Sequence, residues 1–169
     1  MSKFAPFLLT LCAALFLCSC EGDSQTANAG DPQTIRTEQY TFSLPAGYTA
    51  EPQADGTLLF LADDTVVGGF SCLPWENAKA LGFQDPKDLT DDNTDPLLAA
   101  LLNEGETTRA YTFSSSLFGD IFLDLSTDQR HESHSFFLQD DAVYDLWFQS
   151  GCLDEDTETA ILHSFSLPA

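Results

Sequence analysis

Apolar and polar positions alternate with a period of two along most of the chain after Tyr40, and that pattern predicts strands. In "QYTFSLP" the apolar set is Tyr40, Phe42 and Leu44, and Pro45-Ala46-Gly47 ends the run. "GTLLFLADDTVVGGFSCLP" reads as two strands folded back at Asp63-Asp64. Gly68-Gly69 inside its second strand marks a bulge or a close approach from above. "ETTRAYTFSSSLFGDIFLDLSTDQ" is a second hairpin turning near Gly119-Asp120, and "SHSFFLQDDAVYDLWFQSG" a third turning at Asp140-Asp141. In the last strand Tyr144, Leu146 and Phe148 lie on one side, with Val143 and Trp147 on the other. Apolar residues on both faces belong to an interior strand covered on two sides.

The period changes in two places. "DPLLAALLN" puts Pro96 at a first helical position, with Gly105 beyond the end. "DEDTETAILHSF" opens on three acids and carries His163 in its last turn, which suits a helix dipole, with Ile161, Leu162 and Phe165 on its inner face. A short helix is expected around Trp75 to Leu81, within the least regular stretch, Pro74 to Asp95. The expected class is therefore α+β: a largely antiparallel sheet of about seven strands with two or three packed helices. It forms one domain over residues 36–169.

The first 20 residues follow a different logic. Lys3 and the amine precede an apolar stretch from Phe4 to Cys18, shorter than the roughly 20 residues needed to cross a bilayer. Leu17-Cys18-Ser19-Cys20 then meets an abrupt polar change at Glu21. This resembles the bacterial lipobox, in which a Leu, a tolerant position and a small residue precede the modified cysteine. Cys18 is the poorer candidate, because bulky Leu17 would occupy its cleavage site. The resemblance implies that residues 1–19 are a lipoprotein signal peptide and that Cys20 becomes the first residue, carrying two or three acyl chains, enough for stable anchoring. Residues 20–35 lack a large apolar residue until Ile35 and read as a lipidated flexible tether with a reach on the order of 20 Å.

The segments "YTFSLPAGYTAE" and "FFLQDDAVYDLWFQSGCLDEDTETAILHSFSL" carry a second resemblance, to the PsbP-like fold and its DcrB-like bacterial lipoproteins. The shared pattern at the end is an aromatic strand, a short turn, a strand of the type VYxLxF, an acidic helix start and a final I-L-x-S-F. The middle of the chain matches poorly. The resemblance implies a binding or assembly protein and brings no catalytic residue set.

Composition narrows the partners. The chain has 169 residues, 43% of them apolar, so it can build a packed core. Six basic residues face 27 acidic ones, for a formal net charge of −21. Such a chain is repelled by nucleic acid and by anionic headgroups, so no nucleic-acid partner is expected and acyl chains must do the anchoring. The acidity suits a basic partner, cations, or solubility at a crowded surface.

Motifs that would carry chemistry are weak. Cys72 and Cys152 remain after processing and are a disulfide candidate outside the cytoplasm; the bridge would contribute roughly 4 kcal/mol by loop entropy. "HESH" places His131 and His134 one residue short of zinc-protease spacing, on a strand where positions three apart face opposite ways; no metal site is assigned, and the segment reads as a solvated strand or bend. "DDNTDP" offers Asp91, Asn93 and Asp95, but Pro96 and Leu102 replace the Gly and Glu that a calcium loop needs. Trp75, Phe83 and Phe118 could line a binding patch beside Gly68 and Gly69.

The expected protein is thus a membrane-anchored extracytoplasmic lipoprotein on a bacterial membrane, acting as a non-catalytic binding or assembly factor. It would carry no cofactor and would meet a protein or an envelope component. The alternatives are an envelope hydrolase or metal-dependent enzyme with an unrecognised site, and a lipoprotein that binds a cation or small solute.

Overall fold

The computed structural model describes residues 31–74, 89–90, 94, 97–98, 101–139 and 142–167, with only the backbone of Leu73 and Pro74. The lipobox with Cys20, Trp75, Phe83, the segment around Trp75 to Leu81 and the Asp91, Asn93, Asp95 loop lie outside the described residues.

Nine strands and one ten-residue helix are present among the described residues. β1 (Gln33–Arg36) and β2 (Thr41–Leu44) form a two-stranded antiparallel sheet. β3 (Tyr48–Pro52), β4 (Leu58–Ala62), β5 (Thr65–Pro74), β6 (Thr108–Ser115), β7 (Ile121–Thr127), β8 (His131–Leu138) and β9 (Ala142–Gln149) form a second sheet. Its order is β3-β4-β5-β9-β8-β7-β6, and every pairing is antiparallel. The helix α1 (Glu155–Ser164) follows β9. Leu97, Leu98 and Leu101, within the segment expected to be helical, are also helical.

The seven-stranded antiparallel sheet agrees with expectation; among the described residues helix is scarcer than expected, and two strands were not foreseen. β1 starts at Gln33, inside the span read as tether, because Gln33 pairs with Leu44 and Ile35 with Phe42. β3 pairs Tyr48 with Ala62 and Pro52 with Leu58. Its Glu51 and Pro52 disguise it as a loop, and both are tolerated because β3 is an edge.

Local chemistry explains the turns and caps. Asp63 and Asp64 adopt φ 48° and 66°, the left-handed pair that a two-residue hairpin needs, and Asp tolerates it. Asp154 caps α1 by accepting from the Thr157 amide at 2.9 Å, and that bond holds its carboxyl below the usual range. Glu155, Asp156 and Glu158 fill the first turn, and His163 the last.

β9 is the fourth strand of seven and is almost wholly buried. On one face, here the helix face, Tyr144, Leu146 and Phe148 meet Phe42, Leu44, Phe60, Phe70 and Ile161 from β2, β4, β5 and α1. Ring pairs knit that layer, with Phe42–Phe70 at 5.3 Å and Tyr40–Phe70 at 4.4 Å. On the other, the cap face, Leu97 and Leu98 pack with Leu123, Leu125, Phe136 and Val143. These leucines belong to the connection between β5 and β6, which crosses from the centre of the sheet to its far edge.

Gly68 and Gly69 lie at both an irregularity of the ladder and a close approach. The β4–β5 register shifts between Phe60 and Leu61, opposite this stretch. A Cβ on Gly69 would stand 2.6–2.7 Å from the Trp147 indole, which lies over it on the cap face. A Cβ on Gly68 would stand 2.5 Å from the Trp147 carbonyl oxygen.

The disulfide expectation is corrected. β5 and β9 are neighbours, but their register sets Cys72 opposite Tyr144. Cys152 follows the far end of β9, its amide bonded to the Gln149 carbonyl at 3.1 Å. Gln149 is already roughly 17 Å along the strand from Tyr144 at a strand's rise per residue, and a bridge spans at most about 7 Å between Cα atoms. The sulfurs are not joined. Alkylation of the denatured, unreduced protein is therefore expected to label both Cys72 and Cys152; a mass without label at either would contradict the register.

The glycine pair supplies a second test. Gly69→Ala should cost roughly 1–3 kcal/mol, because a partly buried indole must tilt. Gly68→Ala should cost more, because the opposing atom is backbone. Urea unfolding midpoints check the order, and a Gly68→Ala variant as stable as Gly69→Ala would refute it.

Candidate functional site

The cap face of the sheet holds a line of buried charge. Face alternation on β9 puts Asp145 beside Val143 and Trp147, on the side away from the aromatic layer. β8 pairs His134 with Trp147 and Glu132 with Gln149, so both β8 side chains share that face. Asp145, His134 and Glu132 are 8%, 2% and 3% exposed. Each ion would cost several kcal/mol if buried alone.

The groups compensate one another in sequence. His134 Nδ1 lies 3.1 Å from both Asp145 oxygens. His134 Nε2 stands 3.4 Å from Glu132 Oε2 but is misaligned for a hydrogen bond, so that contact is one of charge. Arg130 Nη1 donates to Glu132, and Arg130 Nη2 to the carbonyl of Leu101. Arg130 Nε donates to Glu106 Oε1 at 2.7 Å. Glu106 also accepts from the Thr127 hydroxyl at 2.5 Å and from the Asn103 amide at 2.9 Å. Through Leu101, Asn103 and Glu106, Arg130 fastens the end of the connection to the sheet.

The proton affinities follow from these contacts. Burial pulls the His134 imidazole down, but the charge and hydrogen bonds of Asp145, aided by Glu132, outweigh it and raise the group from 6.5 to about 9. His134 is therefore a cation at neutral pH. The hydrogen bonds from Arg130 outweigh burial at Glu106, and with Thr127 and Asn103 they lower its carboxyl from 4.5 to about 2. Burial opposes the Arg130 charge as well, yet Glu106 and Glu132 raise it above its ordinary value. His134 also lies parallel to Phe136, with centroids 5.8 Å apart.

This network was missed in the sequence. The opposite facing of His131 and His134 was expected and is observed: His131 is exposed and bonds Asp124 at 2.9 Å, while His134 is inside. The reading of "HESH" as a solvated strand is corrected, because the leucine-bearing connection covers the face that Glu132 and His134 share. The available signal was Asp145 in "VYDLWF": an acid on a doubly covered strand requires a buried cation. Among the described residues no group of three or more His, Cys, Asp or Glu is placed to hold a metal ion.

The expected aromatic patch does not assemble among its described members. Phe118 sits in the β6–β7 loop against His163 of α1, with centroids 4.6 Å apart. Gly68 and Gly69 lie on β5, three strands from β7, and Trp147 occupies the space over Gly69.

No protein-family model matches the chain, and no curated protein matches it. Among solved structures, the chain is similar to the solution structure of cyanobacterial PsbP (CyanoP) from Synechocystis sp. PCC 6803. The identity is 14%, 88% of this chain and 99% of that chain are covered, and the TM-score is 0.44. At that level the likeness lends no residue role and no activity to this chain.

The two displaced proton affinities set a pH profile. The His134 contribution is complete below pH 6.5 and is lost as pH rises through about 9. The Glu106 contribution is complete above pH 4.5 and is lost as pH falls through about 2. Urea unfolding should show greatest stability between these limits and a decline on either side. Asp145→Asn should lower the His134 titration, followed by NMR, by on the order of one to two pH units. An alkaline decline unchanged in that variant would refute the assignment.

Proposed function

We propose that the protein is a bacterial lipoprotein, held outside the cytoplasm by lipid on Cys20, whose PsbP-like domain is a non-catalytic binding or assembly factor. The observation that carries the reading is Leu17-Cys18-Ser19-Cys20, which joins the end of a 15-residue apolar stretch to the start of a polar tether. Two or three acyl chains hold a protein whose acidity gives no attraction to headgroups. The sequence patterns at both ends of the domain support the PsbP-like assignment.

The polar side chains support a binding role over catalysis. The His134–Asp145 pair has the composition of an acid–base dyad, but a base must reach its substrate's proton. His134 is 2% exposed and is committed to Asp145, so its work is to hold the sheet and the connection together. The exposed pair of His131 with Asp124 stands on an open sheet surface.

Expression of the full chain in a bacterium with labelled palmitate tests the anchor. The wild-type chain and Cys18→Ala are expected to take the label and partition into detergent, and Cys20→Ala to take none. A fully labelled Cys20→Ala protein, or an unlabelled wild-type chain, would overturn the reading.

A further inference from the structure

The two edges of the seven-stranded sheet differ in how they end. At β3 the edge is closed. The strand has five residues, Pro52 has no N–H to offer, Glu51 adds a charge, and the Ala50 amide donates to Gln33 Oε1 at 3.2 Å. Short length, proline and charge are the devices that keep an edge from pairing.

At β6 short length and proline are missing, and charge and irregularity are confined to its first residues. The strand has eight residues, Thr108–Ser115, without proline. Its one charged residue, Arg109, sits where the β6–β7 register shifts, at the start of the strand. Arg109, Ala110, Tyr111 and Thr112 are all exposed, Tyr111 at 48%. Every second residue of an edge strand turns its N–H and C=O outward, so among the described residues an unpaired ladder runs along β6. Among the described residues, no backbone hydrogen bond reaches that outer side.

A pocket of about 420 Å³ opens at the far end of the same strand. Ser114 and Ser115 of β6 and Thr90 line it together with Leu89, Ile121 and Leu138, and Asp120 adds a carboxylate. Asp120 Oδ2 accepts from the Leu138 amide at 2.6 Å, which fixes the carboxylate at the pocket. A long side chain with an apolar stem and a cationic head matches that lining.

We infer that β6 is the docking edge for an extended, basic segment of a partner protein, which adds to the sheet as a further strand and seats one lysine or arginine in the pocket beside Asp120. Main-chain bonds along β6 give such a complex its affinity and the pocket gives it selectivity. The formal charge of −21 supplies complementarity and a fast approach. This inference deepens the proposed binding role and does not depend on the lipid at Cys20.

The test uses the full chain in nonionic detergent with three eight-residue peptides at millimolar concentration. One alternates Lys and Val, one has the same charge with two Val replaced by Pro, and one alternates Glu and Val. Hydrogen exchange followed by mass spectrometry is expected to slow at least tenfold over β6 with the Lys-Val peptide, with β3 unchanged. The other two peptides should leave β6 as it was. Ala110→Lys and Tyr111→Lys should each weaken Lys-Val binding at least tenfold with an unchanged unfolding midpoint. Asp120→Asn, which keeps an acceptor for Leu138, should weaken it several-fold. Equal protection by the Pro-bearing peptide would show attraction by charge alone and overturn the inference, as would protection centred away from β6 or none. Palmitate labelling of the same preparation reads the anchor separately, so a failed edge leaves the lipoprotein reading standing.

Discussion

A carboxylate in the middle of a strand buried on both faces has to be answered by a cation, and much of the cap side of this molecule follows from how Asp145 is answered. His134 takes the charge from the neighbouring strand. Its own burial then calls for Glu132, and Glu132 in turn for Arg130. Arg130 ends on Glu106 and on the Leu101 carbonyl, where the sheet meets the returning connection. Signs alternate along the whole line, so each ion's desolvation is offset by the next, and the last links lie at the margin of the core. Removing an interior member leaves its neighbour charged and unpaired. That is why such a line holds the connection in one place on the sheet, where leucines alone would tolerate several.

The two faces solve the same covering problem with different chemistry. The helix face is a layer of rings, closed by α1 and by the small sheet of β1 and β2. Ser164 ties these covers together, its hydroxyl accepting from the Ser43 amide at 2.8 Å, and Thr41 bridges to Ser166. The cap face mixes leucines with ions. Gly68 and Gly69 sit where the two solutions meet, because both faces of β5 need room for β9's aromatic residues, Phe148 on one side and Trp147 on the other.

Legibility in the sequence followed the strength of local patterns. The hairpin at Asp63-Asp64, the interior place of β9 and the capped α1 were all readable, because alternation, turn residues and caps act over a few neighbours. β1 was not, since "QTIR" has one large apolar residue and becomes a strand only by pairing with β2. β3 hid behind Glu51 and Pro52, which only an edge can carry. The charge line was illegible for a further reason. Nothing in "HESH" tells which histidine is inside until the connection is laid over Leu123, Leu125 and Phe136. Register likewise decided Cys72 and Cys152: their strands are adjacent, as a bridge would require, but antiparallel pairing sends the two cysteines to opposite ends.

The position of Gln33 has a consequence for how the domain hangs. Its side chain holds β3 through the Ala50 amide, so Gln33 itself lies beside the closed edge. Six interstrand steps separate that edge from β6, a span on the order of 29 Å at the usual spacing. A domain suspended by its amino terminus from a bilayer would therefore carry its open edge at the far end of a stiff outrigger. Tether length and sheet width together would then set the standoff at which a neighbour in the envelope is met.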